Sequence, residues 1–340
     1  MKKIKRIFLS LIFISIFLTG LVELNNIFIR KSLAKPWDMG NKIGGYFNEK
    51  DDFDIFFLGS SHSYCSFNPL LIYENTGFKS YVLASQLQPF KATYYYLKEV
   101  IKKDEPKIIF VDIHGLVYKI DEDDSIVHSY LDYIPMNNIK LDMIVKIVPL
   151  KYKAQSLLPL IKYHDRWSEL KDEDFNVKSS DYKDYLRGYV LLKGTSSTFI
   201  KNNYNMCSNK NMIENALDKS YLAPNKKYFL KMISLCQKKD IRLIFVKTPI
   251  FDEKDFVENI NYWEKQITGK GIEFIDFNNY KKEIGLVNTD FYDFYHLNSS
   301  GSQKFNKFFI NYMFKNGFYT DTSSLDKDWL RDLKTYNINK

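Results

Sequence analysis

Only three cysteines occur in 340 residues: Cys65, Cys207 and Cys236. An odd number at wide spacing forms neither a disulfide framework nor a metal-ligand pattern, so they read as small buried residues. Glycine is sparse as well, 14 in all, and none falls in a P-loop or a dinucleotide-binding pattern. No internal repeat and no low-complexity tract is present. The acidic run 121–124 lacks the spacing of an EF-hand loop and reads as a solvated turn. Composition and motifs therefore imply no cofactor and no metal.

Negative charge is scarce only at one end. Residues 1–35 contain seven Lys/Arg and one Glu, a net +6 out of the chain's total of +8, leaving +2 for residues 36–340. The basic character thus belongs to the N-terminus, and with no zinc-finger, RRM or basic-helix pattern it does not point to nucleic acid. The N-terminus reads MKKIKR followed by sixteen uncharged residues, Ile7 to Val22. That is short for a span of ~20 residues, but Leu24, Ile27, Phe28 and Ile29 can extend it. A cleaved signal peptide is the rival reading, and no small-x-small cleavage site follows the apolar run. We expect a signal anchor over 1–30, with the N-terminus cytoplasmic and the remainder outside the membrane. The few cysteines fit a bacterial cell-surface setting.

Beyond a connector at 31–52, strand and helix signals alternate. Short apolar runs predict strands at 54–58, 80–84, 107–113, 241–247 and 272–276. Helical periodicity predicts helices at 69–75, 90–103, 226–239, 256–269 and 302–315. The third run, KIIFVDI, is continuously apolar, as strands buried on both faces are. This order predicts an α/β fold with a central parallel sheet covered by helices on both faces, a flavodoxin-like three-layer sandwich. Residues 118–222 break the alternation and read as a largely helical insertion capping one sheet edge. The main domain covers 53–320, and 321–340 reads as a polar, peripheral tail.

Ligands of such sheets bind past the carboxyl ends of the strands. Gly59-Ser60-Ser61-His62 lies there, and a serine opening the next helix can bring its own N–H to a developing oxyanion. The alternative is that both serines merely cap a helix. Asp293-Phe-Tyr-His296-Leu-Asn298 lies in a loop ahead of a terminal amphipathic helix. An Asp three residues before a His can orient the imidazole, which can then act as base toward a serine. Of the five histidines (His62, His114, His128, His164 and His296), only His296 has that setting. Asp112 and His114, at the end of the third strand, and Lys247-Thr248-Pro249, at the end of the fourth, lie on the same rim. Tyr94-Tyr95-Tyr96 lies inside a helix and reads as core.

A Gly-x-Ser after the first strand and an Asp-x-x-His near the C-terminus, on this strand order, resemble the SGNH (GDSL-like) hydrolase superfamily. The resemblance covers roughly 53–115 and 226–316. It implies Ser61 as nucleophile, His296 as general base and Asp293 as its orienting acid. The superfamily's oxyanion hole would be formed by the Ser61 N–H with Ser85 or Gln86, because LASQLQPF has no Gly where the second block normally has one. No Asn follows IIFVDI where the third block carries one. The anchor, with FLGSSHS, VKTPIF and YDFYHLN, is similar to membrane-anchored SGNH proteins of teichoic-acid D-alanylation and polysaccharide O-acetylation. That implies a wall polysaccharide or teichoic-acid acceptor and a polytopic membrane-bound O-acyltransferase as partner. The chemistry expected is an O-acyltransferase or esterase. The alternative is a non-catalytic anchored module that binds a wall polymer or a membrane acyltransferase.

Overall fold

The computed structural model describes residues 2–33, 35–196, 219–251 and 257–340. Its centre is one five-stranded, all-parallel sheet of strands β1 (Ile55–Gly59), β2 (Ser80–Ala84), β3 (Ile108–Asp112), β4 (Arg242–Lys247) and β5 (Glu273–Asp276). The strand order is 2-1-3-4-5, the doubly wound order of flavodoxin-like sheets. β1, β2 and β3 are buried along their whole length, which explains why their sequences are continuously apolar rather than alternating. The predicted strands differ from the observed ones only at their ends.

Two aromatic layers flank the sheet. On one face Phe57 stacks on Phe67 at 4.1 Å and on Phe110 at 5.3 Å, with Phe309 edge-on. Phe67 comes from the turn after helix α2 (Ser61–Ser66) and Phe309 from α8 (Ser299–Lys315), against Phe57 of β1 and Phe110 of β3. α3 (Pro69–Thr76) lies beside α8. On the other face Phe245 of β4 packs against Phe90 and Phe229, and Phe229 against Trp263. Those rings belong to α4 (Phe90–Lys103), α6 (Lys219–Lys238) and α7 (Val257–Thr268). Tyr95 and Tyr96 are buried here, as the core reading of the Tyr triplet expects, while Tyr94 is only half-buried against the core.

Three peripheral segments are integrated with this core. Residues 31–52 are more than a connector. Tyr46 is fully buried against Phe53, Phe56 and Tyr81. Gly44-Gly45 serves close packing here, since a Cβ on Gly44 would lie 2.3 Å from the Tyr182 ring. The described part of the insertion is helical in pieces, among them α5 (Asn138–Lys146), and covers the β2 edge: Val82 N–H donates to Arg187 O, and Gly188, at φ +88°, has no room for a Cβ against Val82 O. Covering an edge strand removes a pairing surface. The tail 321–340, expected to be peripheral, instead carries α9 (Lys327–Asn339), which buries Trp329, Leu333 and Tyr336. Its polar composition hides an amphipathic stripe at helical spacing. Trp329 Nε1 donates to Asp51 Oδ2 and Arg187 pairs with Asp332, so tail, connector and insertion lock together.

α1 (Lys2–Phe28) is long and apolar enough to cross a membrane or to act as a signal sequence; its apolar window is left uncovered, and only its last turns meet other described residues. Cys65 and Cys236 are buried free thiols; Cys207 lies outside the described residues.

Candidate active site

β1 ends on Gly59, and the chain turns sharply there. Gly59 has φ +150°, and a Cβ on it would lie 2.5 Å from Ser63 Oγ and 3.0 Å from Asp112 Cβ. Only glycine allows this approach. Ser60 follows as the N-cap residue of α2, without a side-chain capping bond, and Ser61 opens the helix. Ser63 Oγ donates to Leu58 O and ties the helix back to the strand. Ser61 thus stands at the carboxyl edge of the sheet with its N–H in the first helical turn, where N–H groups have no partner within the helix.

The second half of the site is a stiff loop. Phe291 and Leu297 form an antiparallel bridge, and Tyr292 N–H donates to His296 O. Asn298 caps α8 through Oδ1, receiving the N–H groups of Ser300 and Gly301, while its amide reaches Gly194 O and Thr289 O. Gly301 is needed for closure, because a Cβ there would lie 2.2 Å from Asp290 O. At the loop tip Asp293 Oδ1 accepts the N–H groups of Tyr295 and His296, which fixes the carboxylate before the ring is considered.

His296 Nδ1 lies 2.9 Å from both Asp293 oxygens, and His296 Nε2 lies 2.8 Å from Ser61 Oγ. An ionised carboxylate only accepts, so Nδ1 carries the proton and Nε2 accepts from the Ser61 hydroxyl. Burial acts to raise the Asp293 pKa, but the His296 bond, the His296 charge and the two backbone N–H groups outweigh it and hold the carboxyl below the ordinary range. The structure therefore brings Ser61, His296 and Asp293 together in hydrogen-bonding order. Ser61 is 5% exposed.

The two further oxyanion candidates are placed differently. Ser85 Oγ donates to Gln88 Oε1, so its hydroxyl proton is already used. Gly59 pairs with Ala84 in the sheet, so Ser85 leaves β2 level with Ser60. Gln86 is exposed, and its carbonyl accepts from Ser129 Oγ. Among the described residues Asp112 makes no hydrogen bond to Ser61, His296 or Asp293. Its carboxylate accepts from His114 N–H and from the N–H and Oγ1 of Thr248, joining the ends of β3 and β4. Burial raises its pKa, and the Lys247 charge and these bonds oppose the rise.

Sequence reasoning missed a column of rings behind His296. His62 lies 5.6 Å from His296, edge-on, and 4.0 Å from His114, which stacks on Tyr118 at 4.0 Å. Burial, with the neighbouring His114, Lys247 and His296 charges, holds the His62 pKa well below its ordinary value; burial and Lys247 do the same for His114. Both rings are neutral at pH 7 and add no positive charge to compete with the His296 imidazolium. The available signal was position: His62 directly follows the serine and His114 directly follows β3. Among the described residues no group of His, Cys, Asp and Glu is arranged to hold a metal ion.

No protein-family model matches the chain, and no curated protein matches it. Among solved structures it is similar to an acetyl xylan esterase, Est2A, from the rumen bacterium Butyrivibrio proteoclasticus. The match covers 78% of this chain and 64% of that one, at 8% identity and a TM-score of 0.34. A likeness that low carries neither fold nor function across.

Proposed function

We propose that this protein is a membrane-anchored serine acyltransferase or esterase acting on O-acyl groups outside the cytoplasm. The observation that carries the reading is the 2.8 Å contact between Ser61 Oγ and His296 Nε2, backed by Asp293 on the far nitrogen. A capping serine needs no histidine on its hydroxyl, whereas a nucleophile does.

In this reading His296 Nε2 takes the Ser61 hydroxyl proton as Oγ attacks the acyl carbonyl. The tetrahedral oxyanion rests on the Ser61 N–H, with the Ser85 N–H as second donor. The bond to the leaving oxygen breaks, and that oxygen takes the proton from His296. An acyl ester remains on Ser61. An acceptor hydroxyl then gives its proton to His296, attacks the ester, and Ser61 recovers its proton as it leaves. A sugar or polyol hydroxyl gives transfer and water gives hydrolysis. The acyl groups suited to this scheme are acetyl or D-alanyl, the acceptor a wall polysaccharide or teichoic acid, and the donor a polytopic membrane-bound O-acyltransferase.

The test is the intact mass of the full-length protein in detergent after exposure to an activated acetyl ester. An acetyl adduct on wild type that is absent from Ser61→Ala supports the reading. An adduct of equal yield in both, or none even when membranes carrying the acyl donor are supplied, would favour a binding module without turnover.

A further inference from the structure

The anchor is clamped to the insertion. Asn25 Oδ1 accepts the Leu160 N–H at 2.9 Å, Arg166 donates to Phe28 O, and Tyr133 OH donates to Arg30 O at 2.9 Å. Tyr133 OH also meets His128 Nε2 at 3.1 Å, and His128 Nδ1 is held by Asp132. Short helices at Leu160–Tyr163, His164–Ser168 and Asp172–Asn176 pack around the last turns of α1.

This fixes the height of those helices relative to the apolar run. Asn25 is three residues past Val22, a rise of ~4.5 Å at 1.5 Å per residue. Each polar zone of a bilayer is roughly 5–8 Å deep outside a core of about 30 Å. The run Ile7–Val22 itself supplies only ~24 Å of helix, so a full-thickness bilayer must thin, or draw the next residues inward. Both responses bring the helices around Asn25 toward the membrane.

Those helices, with Met136 and Leu157 from neighbouring segments of the insertion, expose apolar side chains. Trp167 is 73% exposed, Phe175 57%, Met136 55%, Ile161 50% and Leu157 49%. Met136 and Leu157 line the same cavity, of about 310 Å³, as Asn25 and Ile29 at the foot of α1. Residues 150–178 contain six Lys/Arg and five Asp/Glu, a net +1. Attachment would therefore come from apolar insertion rather than from attraction to anionic lipid.

We infer that the insertion forms a membrane-seated collar, with Met136, Leu157, Ile161, Trp167 and Phe175 embedded among the lipid headgroups around the anchor. This rests on reading α1 as a membrane helix and is independent of the chemistry at Ser61. Trp at the headgroup level is the usual position for an amphipathic aromatic ring. The occupant is lipid because the bonds to residues 25–30 leave this face no room to rise away from the bilayer. The collar holds the catalytic domain at one height and one tilt, so an acyl donor emerging from the membrane meets Ser61 without a search by a swinging tether.

The test uses the full chain in neutral phosphatidylcholine nanodiscs. Two of its four tryptophans, Trp263 and Trp329, are fully buried, so the emission lost in Trp167→Phe isolates Trp167. The expected result is that lipids brominated near the headgroup quench most of the Trp167 emission while aqueous acrylamide quenches little, with the balance unchanged by added salt. Quenching by acrylamide and not by bromolipid would overturn the proposal. Protection from both would also overturn it, in favour of a protein covering this face. Because no activity is read, failure of the collar and failure of the acyl-enzyme reading are separate results.

Discussion

His296 and Ser61 are 235 residues apart in sequence, yet Nε2 and Oγ lie at hydrogen-bonding distance. The pairing depends on two rigid supports. The Gly59 turn aims the serine, and the Asp290–Asn298 loop, closed on α8, aims the histidine.

Replacing either partner should abolish acylation while leaving the fold intact. Ser61→Ala and His296→Ala are expected to lower the acylation rate ~10⁴-fold or more, and Asp293→Asn by a similar factor through loss of the correct tautomer. Stopped-flow release of the ester leaving group checks this, with circular dichroism confirming the fold. Undiminished rates in His296→Ala would remove the general-base assignment.

Stability should fall as pH drops from 7 to 5. His62 and His114 have folded pKa values well below the ordinary 6.5. Below 6.5 the unfolded chain binds protons that the folded chain refuses, so stability is lost as pH falls. Each ring contributes a slope of up to ~1.4 kcal/mol per pH unit. Asp293 acts lower down: its folded pKa lies below 3.8, so its contribution is complete above that value and is lost only as pH falls through the folded pKa. Urea unfolding at pH 7, 6 and 5 measures the slope. A flat profile would mean that the two rings titrate freely.

Gly301→Ala should damage the site from behind. The added methyl would meet Asp290 O, and the loop bearing Asp293 and His296 would have to shift. A cost of about 1–3 kcal/mol in stability is expected from such overpacking, with a larger proportional loss of acylation than of stability. Thermal melting and ester kinetics on one preparation separate the two.

Trp329→Ala tests whether the C-terminal helix belongs to the core. Trp329 is 1% exposed and packs on Tyr73 at 4.6 Å. Truncation should cost ~3–5 kcal/mol, read as a lower urea midpoint. A surface helix would tolerate the change within ~0.5 kcal/mol.

Much of this was legible in the chain. Apolar runs and helical periodicity are short-range properties, so the five strands and the helices between them followed from local composition, and their alternation followed into a parallel sheet. Ser61, Asp293 and His296 were legible because a turn at a strand end and an Asp three residues before a His are local patterns too. Tertiary structure alone decided what lies next to what. The stacking of His62 on His114, the use of the Ser85 hydroxyl by Gln88, the docking of α1 on the insertion and the burial of Trp329 are contacts between segments far apart in sequence. Side-chain pattern says which face of an element is apolar, but the sheet order determines which distant face covers it, and no local pattern encodes that choice.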